Sequence, residues 1–139
     1  MAIQATPRHL VPANKDDLSA VEELRLHIQQ FGFDLQVVSV LPQLLSWIVD
    51  LHWPVASELA HTLRGAGEIL VEPLREILQS SDAGAQFAII TVLVRRLNNE
   101  TISALLPALC RVALTLDEEG ASEAASELIG SLVARSTDF

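Results

Sequence analysis

The chain has 139 residues, 18 of them acidic and 9 basic, for a net charge of −9. That length makes one domain able to bury a core without disulfide or metal staples. The charge argues against nucleic acid and anionic membrane as partners, and points to a basic partner if it serves more than solubility.

In chain order, Leu18, Val21, Leu24 and Ile28 recur at helical spacing. They predict a first helix, capped by Asp16 or Asp17 and ended by Gly32. Residues 1–35 read as an N-terminal cap helix with its flanking segment, and 36–135 as three helix pairs. The run "PQLLSWIVDL" predicts the next helix, with Pro42 suited to its first position. "LHWPVA" at 51–56 breaks the pattern, because Pro54 can open a helix but not sit deep inside one. Asp50–Trp53 therefore read as a tight turn. Trp53 is expected to cover the end of the core there, and Pro54 to open a helix over 54–64. Val55, Ala56, Leu59, Ala60 and Leu63 share one face of that helix; Ser57, Glu58, His61, Thr62 and Arg64 share the other. "GAG" at 65–67 stops it.

The pattern then recurs. Pro42, Pro73 and Pro107, 31 and 34 residues apart, each open or kink a first helix. A polar turn follows each: "VDLHW", "QSSDAG" and "TLDEEG". Second helices are expected over 54–64, about 84–97 and about 121–134. "AQFAIITVLVRRL" is apolar nearly all round, which requires neighbours on several sides. Its β-branched residues would also suit a strand, but no second strand-like run exists to pair with it. The expected fold is all-α: a short HEAT-like α-solenoid, or right-handed helical array, of about three helix pairs within a single domain spanning 1–139. With 4% aromatic residues and no Tyr, its core must be Leu, Ile, Val and Ala.

The segments "HLVPANKDDLSAVEEL" (9–24), "LPQLLSWIVDLHWPVA" (41–56) and "EEGASEAASEL" (118–128) resemble a small bacterial family known as domain of unknown function 5071. The likeness runs from about residue 9 to 130. It implies a bacterial, cytoplasmic, HEAT-like helical protein and carries no activity with it. The motif residues Pro12, Lys15, Asp17, Trp53 and Pro54 read as turn, ion pair and turn.

Catalytic and metal motifs are sparse. Cys110 is the only cysteine, so no internal disulfide forms, and its apolar run predicts a buried, inert thiol. Of His9, His27, His52 and His61, no two have a two-ligand helical spacing. Glu58-x-x-His61 places a carboxylate and an imidazole on one helical face, a unit that di-iron bundles use twice. Here it occurs once and reads as a solvated face, so no metal or cofactor is expected. No nucleophile elbow, phosphate loop or Cys-x-x-Cys occurs. Arg95-Arg96 is a basic pair at a helix end, favourable to the helix dipole and too small for nucleic acid. No secretion signal or run of 18 apolar residues is present, which predicts a cytoplasmic protein that does not span a membrane.

What remains is surface. The turns carry Asp50, His52, Asp82, Asp117, Glu118 and Glu119, and the second helices add Glu58, His61, Gln86, Glu123 and Glu127. Stacked pairs would gather these into one acidic ridge, with His61 and Gln86 as central anchors and turn carboxylates free of structural duty. The expected function is non-enzymatic protein binding, most concretely a bacterial immunity or inhibitor protein holding a basic toxin or effector domain, as a monomer or weak dimer. A generic scaffold in a bacterial complex is the alternative. An enzyme or metal protein using Glu58 and His61 is the third reading.

Overall fold

The computed structural model describes residues 10–49 and 54–136. Among these residues it is all-α, with eight α-helices and no strand. His9, Asp50, His52 and Trp53 lie outside the described residues, as does the turn expected around Trp53.

Helix α1 (Leu18–Phe31) starts where the sequence signals it. The Asp17 side chain accepts from the Ala20 N–H, and the Gly32 N–H closes the helix on the Ile28 carbonyl with φ at 73°. Only glycine adopts that left-handed conformation without strain. The segment before α1 is anchored too. Leu10 is buried, and the Lys15 carbonyl accepts from the Val55 N–H at 3.2 Å. That bond satisfies one of the donors left orphaned in the first turn of α3 (Pro54–Leu63).

Helix α2 runs Leu35–Ile48, with Asp34 as its N-cap. Pro42 does not open it, contrary to the sequence expectation; it sits inside. The cap signal at Asp34 wins, because its side chain accepts from the Val37 N–H and starts the helix seven residues earlier. Pro42 is tolerated because both it and Val38, whose carbonyl loses its helical donor, are exposed to water.

The other prolines follow their expected roles. Pro54 is the first residue of α3. Pro73 lies in the first turn of α4 (Val71–Leu78), which continues a 3-10 turn over Gly67–Leu70. Pro107 lies in the first turn of α7 (Leu106–Ala113), just after the short α6 (Asn99–Ala104). The second helices are α3, α5 (Ala83–Val92) and α8 (Ala121–Ser136). α5 ends earlier than expected, and a 3-10 turn over Val94–Arg96 carries the chain onward.

Packing accounts for the apolar character of α5, which contacts α2, α4 and α8. The first helices also touch in succession, α2 on α4 and α4 on α7, while α1 packs on α3. One apolar cluster runs from Leu10 to Leu132 through all of them. Its largest fully buried members are leucines and isoleucines such as Leu24, Leu44, Leu63, Leu74 and Ile89. Each such burial contributes about 1.5–3 kcal/mol. Cys110 is half-buried rather than enclosed.

Candidate functional site

The α4–α5 turn and the α7–α8 turn form one edge. Each is built by an aspartate that satisfies helix N–H groups. The Asp82 side chain caps α5, accepting from the Ala85 N–H at 3.0 Å. Asp117 does more. It accepts from the N–H groups of Glu119, Ala121 and Ser122 at 2.8–2.9 Å, folding the loop onto the start of α8. The Ser122 hydroxyl adds a bond to the Ala113 carbonyl at 2.7 Å, tying α8 back to α7. The Ser122 and Ala121 N–H groups hold the Asp117 carboxyl below the usual carboxylate range, against a smaller upward push from burial. Asp117 is therefore a structural carboxylate as well as a charge, contrary to the expectation for turn acids.

The two turns meet over Gly84. A side-chain carbon placed there would stand 3.5 Å from Asp82 Oδ1 and 3.9 Å from Glu119 Oε2. Carboxylates 37 residues apart in sequence thus converge on one point. Beside them lies a cavity of about 220 Å³, lined on one side by Ser80 and Ser81 and on the other by Arg111, Thr115 and Leu116. Leu114 and Leu116 are 86% and 96% exposed, the most exposed large apolar side chains of the described residues. Neither is among the residues expected from the sequence to bind a partner. Their signal was present: two leucines in and beside the polar turn "TLDEEG", past the end of the helix that could have buried them.

Gln86 lines this cavity but offers little exposed surface of its own. It is 9% exposed, and its Nε2 donates to the carbonyls of Leu78 at 3.1 Å and Ser80 at 2.6 Å. The expected central anchor is instead a clamp holding α5 to the end of α4. Glu58 and His61 are exposed on α3, and neither side chain has a hydrogen bond or ion pair among the described residues. α3 packs chiefly on α1 and α2. Glu118 and Glu119 are exposed in the turn.

Glu123 and Glu127 extend the edge along α8, but not in a purely acidic setting. They line a cleft of about 600 Å³ between α5 and α8, together with Arg95, Arg96 and Arg135. Gly120, at φ 95°, backs directly onto Phe87 at its mouth. The arginines were legible only as a helix-end pair, because Arg135 joins them through the fold.

A polar pair, a buried histidine with a partly exposed aspartate, stands apart from both features. His27, 2% exposed on α1, places Nε2 at 3.0 Å from both oxygens of Asp34, the cap of α2, and its ring lies 4.9 Å from that of Phe31. Burial pushes the Asp34 carboxyl upward, but the hydrogen bonds from His27 and the Val37 and Gln36 N–H groups outweigh it, so the carboxyl is held below its usual range. This pair joins the first two helices.

The described helices thus form an all-α, acidic, two-turn edge with no catalytic constellation of recognised type on it. The model of the family described as domain of unknown function (DUF5071) matches residues 10–131, and the chain belongs to that family. No curated protein matches it. Among the described residues no helix is long and apolar enough to cross a membrane.

Proposed function

We propose that this protein is a non-enzymatic binding module that holds a basic protein against the edge formed by its α4–α5 and α7–α8 turns. Its most concrete form is a cytoplasmic inhibitor or immunity protein that occupies a basic toxin or effector domain. The observation that carries this reading is the convergence of Asp82 and Glu119 over Gly84, beside the cavity that the exposed Leu116 lines, with the exposed Leu114 two residues before it. Acidic groups steer a basic partner and set the association rate, while a few desolvated apolar anchors supply most of the affinity. Both kinds of group stand together on this edge. The chain's −9 charge reinforces the steering.

The test begins with affinity purification from the native host to identify the partner, then measures its kinetics. Glu118→Ser with Glu119→Ser should slow association and flatten its salt dependence, because rim charges act on the encounter. Leu114→Ser with Leu116→Ser should chiefly speed dissociation. Asp117 and Asp82 stay intact in this experiment, since both hold helix ends. A partner that is itself acidic, or rates untouched by both pairs of substitutions, would overturn the reading.

A further inference from the structure

The cleft between α5 and α8 has a polarity that the binding edge does not use. On α8, Glu123, Glu127, Ser131 and Arg135 follow at intervals of four and so share one face. The face runs from acid at its start to base at its end. On the opposite wall Phe87, Ile90 and Thr91 share a face of α5, and Arg95 and Arg96 follow in its closing turn. The contact of Gly120 with Phe87 sets the two starts side by side. At the other end Arg135 donates to Asn99 Oδ1 at 3.0 Å, which holds it beside the segment carrying Arg95 and Arg96.

Three of the chain's nine basic residues thus line one cleft in a strongly acidic protein. Among the described residues none of the three forms an ion pair. Helix-dipole compensation accounts for a cation at each helix end, but not for three sharing one concavity. Like charges gathered with no ion pair to any of them oppose one another. The floor between the charged ends includes the buried Ile90 and Leu128. The volume, about 600 Å³, falls within the roughly 300–1,000 Å³ of small-molecule sites.

We propose that this cleft binds an elongated small organic anion, its carboxylate or phosphate head at Arg95, Arg96 and Arg135, its apolar body against the half-buried Phe87 and Ala124 over the floor of Ile90 and Leu128, and an ammonium or other donor group at Glu123 and Glu127. Guanidinium forks suit planar oxyanion heads. The rise along α8 from Glu127 to Arg135 is roughly 12 Å, which sets the length of the ligand. The site shares Glu123 and Glu127 with the far end of the protein-binding edge, but its test needs no protein partner.

The experiment titrates the full chain with octanoate, octyl phosphate, 8-aminooctanoate and octylamine, observed by the NMR signals of the arginine side chains and of the α8 backbone. At least one of the two anions should shift the signals of Arg95, Arg96 and Arg135; which one does so identifies the head. The amino acid should bind about 2–5-fold tighter than octanoate, the range of an exposed charge pair. Arg95→Gln with Arg96→Gln should weaken anion binding about tenfold or more, since charge-assisted hydrogen bonds are lost. Glu127→Gln should erase the preference for 8-aminooctanoate while leaving octanoate bound. No anion-dependent shift, an equal response to octylamine at the arginine end, or binding indifferent to the double arginine change would each overturn the proposal. Unchanged circular dichroism of the variants separates these outcomes from loss of fold.

Discussion

Replacing Gln86 tests whether the clamp between α4 and α5 is real. The side chain reaches two carbonyls, Leu78 O within the buried interior and Ser80 O nearer the surface. Gln86→Leu keeps most of the volume and removes both donors. A buried carbonyl without a donor costs about 1–3 kcal/mol, and the outer one can be rehydrated, so the loss should be near that single range. Gln86→Glu should be worse. It points a carboxylate at two carbonyl oxygens in a largely dry site, where an uncompensated charge costs about 3–5 kcal/mol. The introduced carboxyl would have a folded pKa above its unfolded value. Its destabilising effect is then full above the folded pKa, and shrinks as pH falls through that value toward the unfolded one. The assay is urea denaturation followed by helical circular dichroism at pH 7 and at pH 5, with an unchanged slope required for the comparison. Gln86→Glu should be the less stable of the two at pH 7, and its deficit should narrow at pH 5. A Gln86→Glu protein within about 0.5 kcal/mol of the parent at pH 7, the range of ordinary surface changes, would refute the clamp and return Gln86 to the surface.

Three further predictions rest on similar reasoning. Gly120→Ala should destabilise by about 2 kcal/mol, because the left-handed backbone costs a non-glycine residue about 1–2 kcal/mol and the new methyl would meet Phe87 carbons at 3.3 Å; an unchanged melting temperature would show that the turn relaxes freely. Asp34→Ala should cost about 2 kcal/mol, from a lost cap worth about 1 kcal/mol and an unpaired His27 nitrogen, discounted because Asp34 is 34% exposed. Asp34→Asn, which still caps, should cost less than half of that, and equal losses for the two would remove the cap from the account. The carboxyls of Asp34 and Asp117 are both held low in the fold. Their contribution is present above the unfolded carboxylate pKa of about 3.9 and is lost as pH falls through the folded values. The urea midpoint should therefore hold from pH 7 to about 5 and fall below about 4, and Asp34→Asn should weaken that fall.

The helices were legible because apolar period and punctuation agree. Asp17, Gly32 and Pro54 act as their residue types dictate, and α5 is the apolar helix that its sequence reads as. Pro42 has the residue type of a helix start, but an aspartate eight residues earlier already supplies one. The site was harder to read, and for a different reason. A helical wheel puts Gln86 on the polar face of α5, but the preceding turn folds back over that face and offers two carbonyls. Nothing in the local pattern announces a returning turn. Asp117 misled in the same way: its three N–H donors come from residues two, four and five positions later, in a geometry that only the loop's closure creates. The leucines at 114 and 116 were the readable part, since apolar residues in a polar turn have no helical reason to be there.

The two proposed sites also differ in how far their charges reach. From Gly120 to Arg135 the rise along α8 is roughly 22 Å, and from Phe87, which Gly120 touches, to Arg95 the rise is roughly 12 Å. The screening length at physiological ionic strength is about 8 Å. The arginine cluster therefore contributes little to the field met by a partner approaching the turn edge, and the −9 total understates the acidity there. Filling the cleft with an organic anion should leave association at the edge unchanged at about 0.15 M salt. At about 0.01 M, where the screening length grows to about 30 Å, the cluster would oppose a basic partner until an anion neutralised it, so the same ligand should then speed association. Coupling that persists at physiological salt would mean that the cleft and the edge communicate through packing, along α8 and the Phe87–Gly120 contact, rather than through charge.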